Sequence, residues 1–362
     1  MMSAYCSRIA LERREADMKK SLIATTVLIG LVVAASAVVA AEDGIKRTAD
    51  GKPDFTGVYD ISSITPFARP KEFGDKLTLT PEEAQANAKS RADRNAVQDA
   101  PSASASERAA PEKGGNVGAY NNFWFEWGSQ NYVIDGKYRT SVLTDPPNGQ
   151  MPAMTEEGKA RAAAAPKFAW PNKGYAWWLE TGDIPYDGPE TNIVGVRCLY
   201  QPTASVAIRP LPYNNVKTIV QTEDHFMIMI EWMHWTRVVR IGGEHMPADY
   251  TSLAGDSIGW WEGDTLVVET TNFRDMPDLR GEGVRVIERF SPHDGNSLLY
   301  SFTVENPEYE APFSGELPWA KTTQKSYEYA CHEGNYAAGN TLRGARLLEA
   351  EFEKGQSSSG QE

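Results

Sequence analysis

Between His225 and Glu305 one pattern recurs: an apolar, aromatic or β-branched run, a turn, and another such run. Ser257 to Trp261 and Thr265 to Thr271 flank Glu262-Gly263-Asp264, and Val284 to Phe290 and Ser297 to Glu305 flank His293-Asp294-Gly295-Asn296. Upstream, Tyr132 to Ile134 and Tyr138 to Leu143 flank Asp135-Gly136, a strong two-residue hairpin signal. Hairpins in series without intervening helices make an antiparallel meander, and a sheet with this many strands curls and closes. The expected fold is therefore mainly β: an antiparallel meander closing into a lipocalin-like β-barrel, with two N-terminal helices and a C-terminal helix. Short strands are also expected at Phe55 to Tyr59 and Phe123 to Trp127. The run His225 to Ile241 is too long for one ordinary strand. Folding it near Trp232 to Trp235 sets Glu231 opposite Arg237 as a cross-strand ion pair.

Helix signals are local. Thr80-Pro81-Glu82-Glu83 offers a cap, a first-turn proline and carboxylates at the positive helix end, predicting a helix to about Val97. A second capped helix is expected from Thr155-Glu156-Glu157 through Ala165, stopped by Pro166, and a third near Thr341 to Glu353. Pro101 to Gly118 is small, polar and without hydrophobic period, which reads as a flexible loop. The Ser/Gly tail Gly355 to Glu362 reads as disordered. No internal repeat is present. The expected divisions are a leader and signal peptide over 1–40, a strand, helix and loop over 41–118, the barrel over 119–336, and a helix and tail over 337–362.

At the N-terminus, Met18-Lys19-Lys20, the apolar stretch Ser21 to Ala35 and the small residues Val38-Val39-Ala40-Ala41 have the pattern of a secretory signal peptide. The polar segment Met1 to Asp17 before it places the expected translation start at Met18. Cleavage removes Cys6 and leaves Cys198 and Cys331 in an oxidising compartment, periplasmic or extracellular. Two cysteines there most simply form one disulfide, which by a chain-entropy argument contributes on the order of 4 kcal/mol. Two buried free thiols are the alternative.

The chain carries 36 Lys+Arg against 49 Asp+Glu, a formal net charge of −13. Such a surface repels phosphate backbones and anionic headgroups, so neither nucleic acid nor stable membrane insertion after signal cleavage is expected. There is no Gly-rich phosphate loop, dinucleotide fingerprint, His-Glu-x-x-His, Cys-x-x-Cys or Gly-x-Ser-x-Gly elbow. No cofactor is expected. The five histidines, His225, His234, His245, His293 and His332, have no metal-motif spacing, and no metal site is expected.

Glu231, Arg237, Glu269, Arg285 and Glu288 each interrupt an apolar strand. They are either outward charges on a solvated face or inward groups whose burial tunes them for catalysis. By strand parity Arg285 and Glu288 cannot both point inward without a bulge. All ten tryptophans fall between Trp124 and Trp319. They either fill a barrel core or, with Trp124 and Trp127 around Glu126 and with Trp232, Trp235 and Trp260, wall a pocket for a flat ligand.

DGKPDFTGVYD, TDPPNGQMPAMTEEGKAR, VRCLYQP, IVQTEDHFMI, GDSIGWWEGDTLVVETTNF, VIERFSPHDGNSLLYSFTVENPEY and YEYACHEGN follow one another from about Asp50 to Asn335. Together they resemble the successive blocks of a largely uncharacterised family of exported bacterial proteins. The resemblance implies a secreted globular protein, and the matching cysteines imply the Cys198–Cys331 bridge. This chain departs in carrying Arg285 where members often have a histidine nearby, and in the loop inserted after Pro101.

The functional expectation is an exported, cofactor-independent enzyme of lyase, isomerase or hydratase type, acting on a small hydrophobic or aromatic compound inside the barrel. Glu231, His234, Arg237, Glu269 and Arg285 are the candidate catalytic residues, with carboxylate or imidazole as base and Arg to hold developing negative charge. The alternative is a periplasmic binding or carrier protein for a similar ligand.

Overall fold

The computed structural model describes residues 45–99, 125–165, 170–200, 206–276 and 281–359. The signal-peptide segment, Cys6, Trp124, the loop from Pro101 to Gly118 and the last three residues lie outside these. Thirteen strands run through the described residues: β1 Gly57–Asp60, β2 Thr78–Leu79, β3 Val133–Ile134, β4 Lys137–Arg139, β5 Leu143–Asp145, β6 Val216–Gln221, β7 His225–Ile230, β8 Trp235–Ile241, β9 Asp256–Glu262, β10 Thr265–Thr271, β11 Arg285–Asp294, β12 Ser297–Glu305 and β13 Phe313–Lys321. Nine of them close a barrel in the order β1-β6-β7-β8-β9-β10-β11-β12-β13, with β1 pairing back onto β13. The segment ahead of residue 119 thus supplies the closing strand. β5 lies on β13 beyond β1, pairing at Ser314 and Gly315, and β2, β4 and β3 form a separate small sheet.

The ring corrects the expectation of a purely antiparallel meander. Antiparallel neighbours alternate in direction, so an odd number of strands cannot close without a parallel pair. Here β8 and β9 are parallel, from Val239 opposite Ser257 to Ile241 opposite Gly259. Strands β6 and β13 and the separate three-stranded sheet were also not foreseen. The Asp135-Gly136 turn forms, with φ of 51° and 72°, but it joins β3 to β4 in the small sheet and not in the barrel. The stretch Phe125–Trp127 contains no strand.

Side-chain alternation decides the interior. Phe226, Ile228 and Ile230 of β7 point inward with Val239, Leu266, Val268, Phe290, Tyr300, Leu317 and Trp319, all buried. Trp319 meets the rings of Tyr59, Phe290 and Tyr300 at 5.2–6.2 Å between centroids. Each such side chain contributes about 1.5–3 kcal/mol through burial. These rings and branched chains pack together as the core inside the barrel, and Trp319 takes the core-filling role of the two open to the tryptophans.

Helix α1, Pro81–Gln98, starts on a capping box: Thr80 Oγ1 accepts from the Glu83 amide and Glu83 accepts from the Thr80 amide. Helix α2, Glu156–Ala164, is capped by Thr155. Helix α3, Tyr336–Ser359, is longer than expected and includes residues read from the sequence as a disordered tail. It packs on Trp177 and Trp178 through Ala345, Leu348 and Phe352. Among the described residues no helix is long and apolar enough to cross a membrane. Cys198 and Cys331 are joined in a disulfide, Cα atoms 5.8 Å apart, so the bridge ties the stretch before β6 to the segment after β13.

Candidate functional site

The β7–β8 connection is a tight helical turn, Trp232–His234, with Met233 and His234 both at positive φ. It sets Ile230 opposite Trp235 and Ile228 opposite Arg237. The turn is shorter than the one expected, so the Glu231–Arg237 pair does not form. Arg237 instead points into the barrel, where its Nη1 lies 2.8 Å from Glu288 Oε2 on β11. The Tyr300 hydroxyl donates to Glu288 Oε1 at 2.6 Å and accepts from the Ile208 amide at 2.8 Å. Burial, and then the Glu288 charge, holds the Tyr300 phenol well above its ordinary pKa.

Glu231 and His234 face the chain that follows β13. Glu231 Oε1 accepts from the Tyr327 amide at 3.1 Å, and His234 Nε2 accepts from the Tyr329 amide at 2.6 Å. Trp232 is sandwiched between the rings of Tyr213, 4.5 Å away, and Tyr329, 5.8 Å away. Trp235 meets Tyr200 edge-on at 4.9 Å. This group straps the segment around residues 327–329 across the barrel end.

Glu269 and Arg285 lie on the outer wall. Arg285 reaches Glu269 at 2.5 Å and Glu305 at 3.0 Å, while its neighbours Val286 and Glu288 face inward as parity requires. Beside them Asp256 accepts from Arg240 at 2.9 and 3.0 Å, contacts His245 Nδ1 at 2.8 Å and accepts from the Met246 amide at 3.0 Å. His245 Nε2 is 3.9 Å from Glu269. Burial alone would raise the Asp256 pKa, but these bonds outweigh it and hold it at about 2. Trp260 is also outward, its Nε1 donating to Glu262. The five expected catalytic residues thus fall into three places and do not share one site.

A cavity of about 420 Å³ opens elsewhere at the barrel end, between the segment after β1 (Ser63 to Phe67), α1 (Arg91), Trp127 and the approach to β6 (Arg209 to Leu211). Its walls are preformed. Gly128, at φ 70°, brings Trp127 against Ser63 so closely that an added Cβ would lie 2.8 Å from the Ser63 nitrogen. Buried Asn215 donates to the carbonyls of Glu126 and Leu211 and accepts from the Leu211 amide, tying two walls together. The Arg209 guanidinium sits 4.5 Å from the Phe67 ring centroid, and that of Arg91 5.0 Å from Trp127. Phe67 is itself stacked on Phe302 of the core.

Burial lowers the pKa of both guanidiniums, with Arg94 adding to the effect at Arg91 and Tyr309 opposing it at Arg209. Arg91 Nε is buried and has no hydrogen-bond partner among the described residues. The hydroxyls of Ser63 and Thr65 are engaged, Ser63 with Thr65 and the Gln130 carbonyl, and Thr65 with the Tyr132 amide. Among the described residues the wall therefore offers cations and ring faces, with both of its hydroxyls in hydrogen bonds. Lys217, at the start of β6, is buried and donates to the Asn214 carbonyl at 3.0 Å. Burial pushes its pKa down to about 8, against the pull of Glu231, Asp60 and Glu126.

Of the expected wall residues that are described, Trp127 lines this cavity, and Trp232, Trp235 and Trp260 lie elsewhere. Arg91 and Arg209 were missed because one sits on a polar helix and the other in an irregular stretch, and neither position carries a strand or motif signal. Among the described residues no three His, Cys, Asp or Glu side chains come together to hold a metal ion. No protein-family model matches the chain, and no curated protein matches it.

Proposed function

We propose that this protein is a binding or carrier protein for a small hydrophobic, aromatic compound, held in the cavity at the barrel end. The observation that carries the reading is the composition of that wall: Phe67, Trp127 and aliphatic surface around two guanidiniums, with every lining hydroxyl already engaged. Ligand pockets combine such apolar surface with a few orienting polar groups. The reading is lipocalin-like in using a β-barrel to hold an apolar ligand, but it puts the ligand beside the packed core instead of within it. Export to the periplasm or beyond the cell belongs to the proposal. The leader pattern, the Cys198–Cys331 bridge and the resemblance to exported bacterial proteins support it.

The test is titration of the protein with aromatic and lipid-like compounds, read by tryptophan fluorescence. Saturable quenching that disappears in Trp127→Phe is expected; an unchanged signal across the panel overturns the reading. A second reading, a cofactor-independent lyase, isomerase or hydratase, is favoured by Lys217, a buried amine whose pKa burial pushes down to about 8, the direction a general base requires. Product analysis after incubation with the bound compounds separates the two, because a carrier returns its ligand unchanged.

A further inference from the structure

Several of the described arginines that line or cross the barrel have a carboxylate partner. Arg139 has Glu316 at 2.5 Å, Arg161 has Asp275 at 2.9 Å, Arg237 has Glu288 at 2.8 Å and Arg240 has Asp256 at 2.9 Å. Buried Arg69 gives its Nη1 to the carbonyls of Gly74 and Pro147. An acid-rich chain has carboxylates to spare for such pairing, since Asp+Glu exceed Lys+Arg by 49 to 36. Yet Arg209, largely drawn out of water, and Arg91, partly so, meet ring faces and no carboxylate within ion-pair distance among the described residues. Both line the same cavity.

A desolvated cation without a counter-charge is costly, and two around one cavity also repel each other. Placing an anion between them removes both costs. The planar guanidinium fork suits a carboxylate, which can take two parallel hydrogen bonds. The rest of the wall, with Ile64, Pro66, Phe67, Trp127 and Leu211, cannot hydrate a bare inorganic ion but can cover a flat apolar body. Elsewhere the net charge repels anions, so the two arginines also set where such a ligand can dock.

We propose that the cavity takes an aromatic monocarboxylate, its carboxylate held by Arg91 and Arg209 and its ring by the apolar wall. This rests on the binding reading above and adds the charge of the ligand. The test is calorimetric titration of the full chain with benzoate, benzyl alcohol and inorganic phosphate, repeated on Arg91→Met and Arg209→Met. Benzoate should bind at least about tenfold more tightly than benzyl alcohol, since a hydrogen bond to a charged group contributes about 1.5–3 kcal/mol. Each variant should lower benzoate affinity about 10- to 100-fold and benzyl alcohol affinity by a clearly smaller factor. Arg91 lies on a partly exposed helix face, so Arg91→Met keeps the test informative if Arg209→Met fails to fold. Benzyl alcohol binding as tightly as benzoate overturns the carboxylate assignment while leaving the binding reading intact. Phosphate binding as tightly as benzoate overturns the aromatic part, and binding by none of the three overturns both readings.

Discussion

Glu288→Gln should be among the most destabilising single changes available in the barrel. Glu288 is fully buried and Arg237 is 3% exposed in its side chain, with 2.8 Å between them. The Gln amide oxygen can still accept from Tyr300, so the substitution chiefly removes the negative charge beside a buried guanidinium. Breaking a buried pair by removing one partner costs about 3–5 kcal/mol, whereas replacing both members by apolar groups is often neutral or stabilising. The double variant Arg237→Met/Glu288→Met should therefore be more stable than either single variant, with a coupling energy of about 2–3 kcal/mol. Urea unfolding of the four proteins, disulfide intact and read by tryptophan fluorescence, gives the cycle, and an unchanged m-value shows that the loss is one of stability. Glu288→Gln within about 1 kcal/mol of the parent, or a double variant no better than the worse single one, would refute the reasoning.

Asp256 predicts an acid-side loss of stability. Its pKa falls from an ordinary 3.8 to about 2 on folding, so its contribution is full above pH 3.8 and drains away as pH falls through about 2. Asp256→Asn should cost roughly 2 kcal/mol at pH 7 and progressively less as pH falls through about 2, and a difference that does not shrink on acidification counts against the Arg240–His245 network. Gly128→Ala forces a side chain into a left-handed backbone position facing Ser63, at a cost of about 1–2 kcal/mol from the dihedral alone. It should shift Trp127 and weaken aromatic binding at least about tenfold, read by the same fluorescence titration.

What could be read from the residues was what depended on neighbours in the chain. The capped start of α1 at Thr80, the Asp135-Gly136 turn, the β9–β10 and β11–β12 hairpins and the opposite facing of Arg285 and Glu288 all follow from spacing of a few residues. What failed depended on distant partners. β13 contains Pro318, which in a sequence reads as a strand breaker; in the barrel it falls between the part of β13 paired with β5 and the part paired with β1. The parallel β8–β9 pair follows only from counting the strands around the ring. The Arg237–Glu288 pair depends on a turn register set by Met233 and His234 at positive φ, a conformation uncommon for such residues and invisible in composition. The cavity draws its walls from four separate stretches of chain, so no local pattern could announce it.

The closing of the ring also has a consequence in time. Its seam joins Tyr59 to Lys321 and Asp60 to Ala320, the most widely separated strands of the barrel. A chain emerging from its N-terminus cannot complete the barrel until β13 has emerged, although β9–β10 and β11–β12 can pair as soon as each hairpin is out. Until then β1 and β6 present an unfinished edge to other chains. Non-local pairing of this kind is slow because the loop entropy is lost before the contacts that compensate for it are made. The interval between synthesis of β1 and arrival of β13 is therefore the period in which this chain is most open to aggregation or to a chaperone.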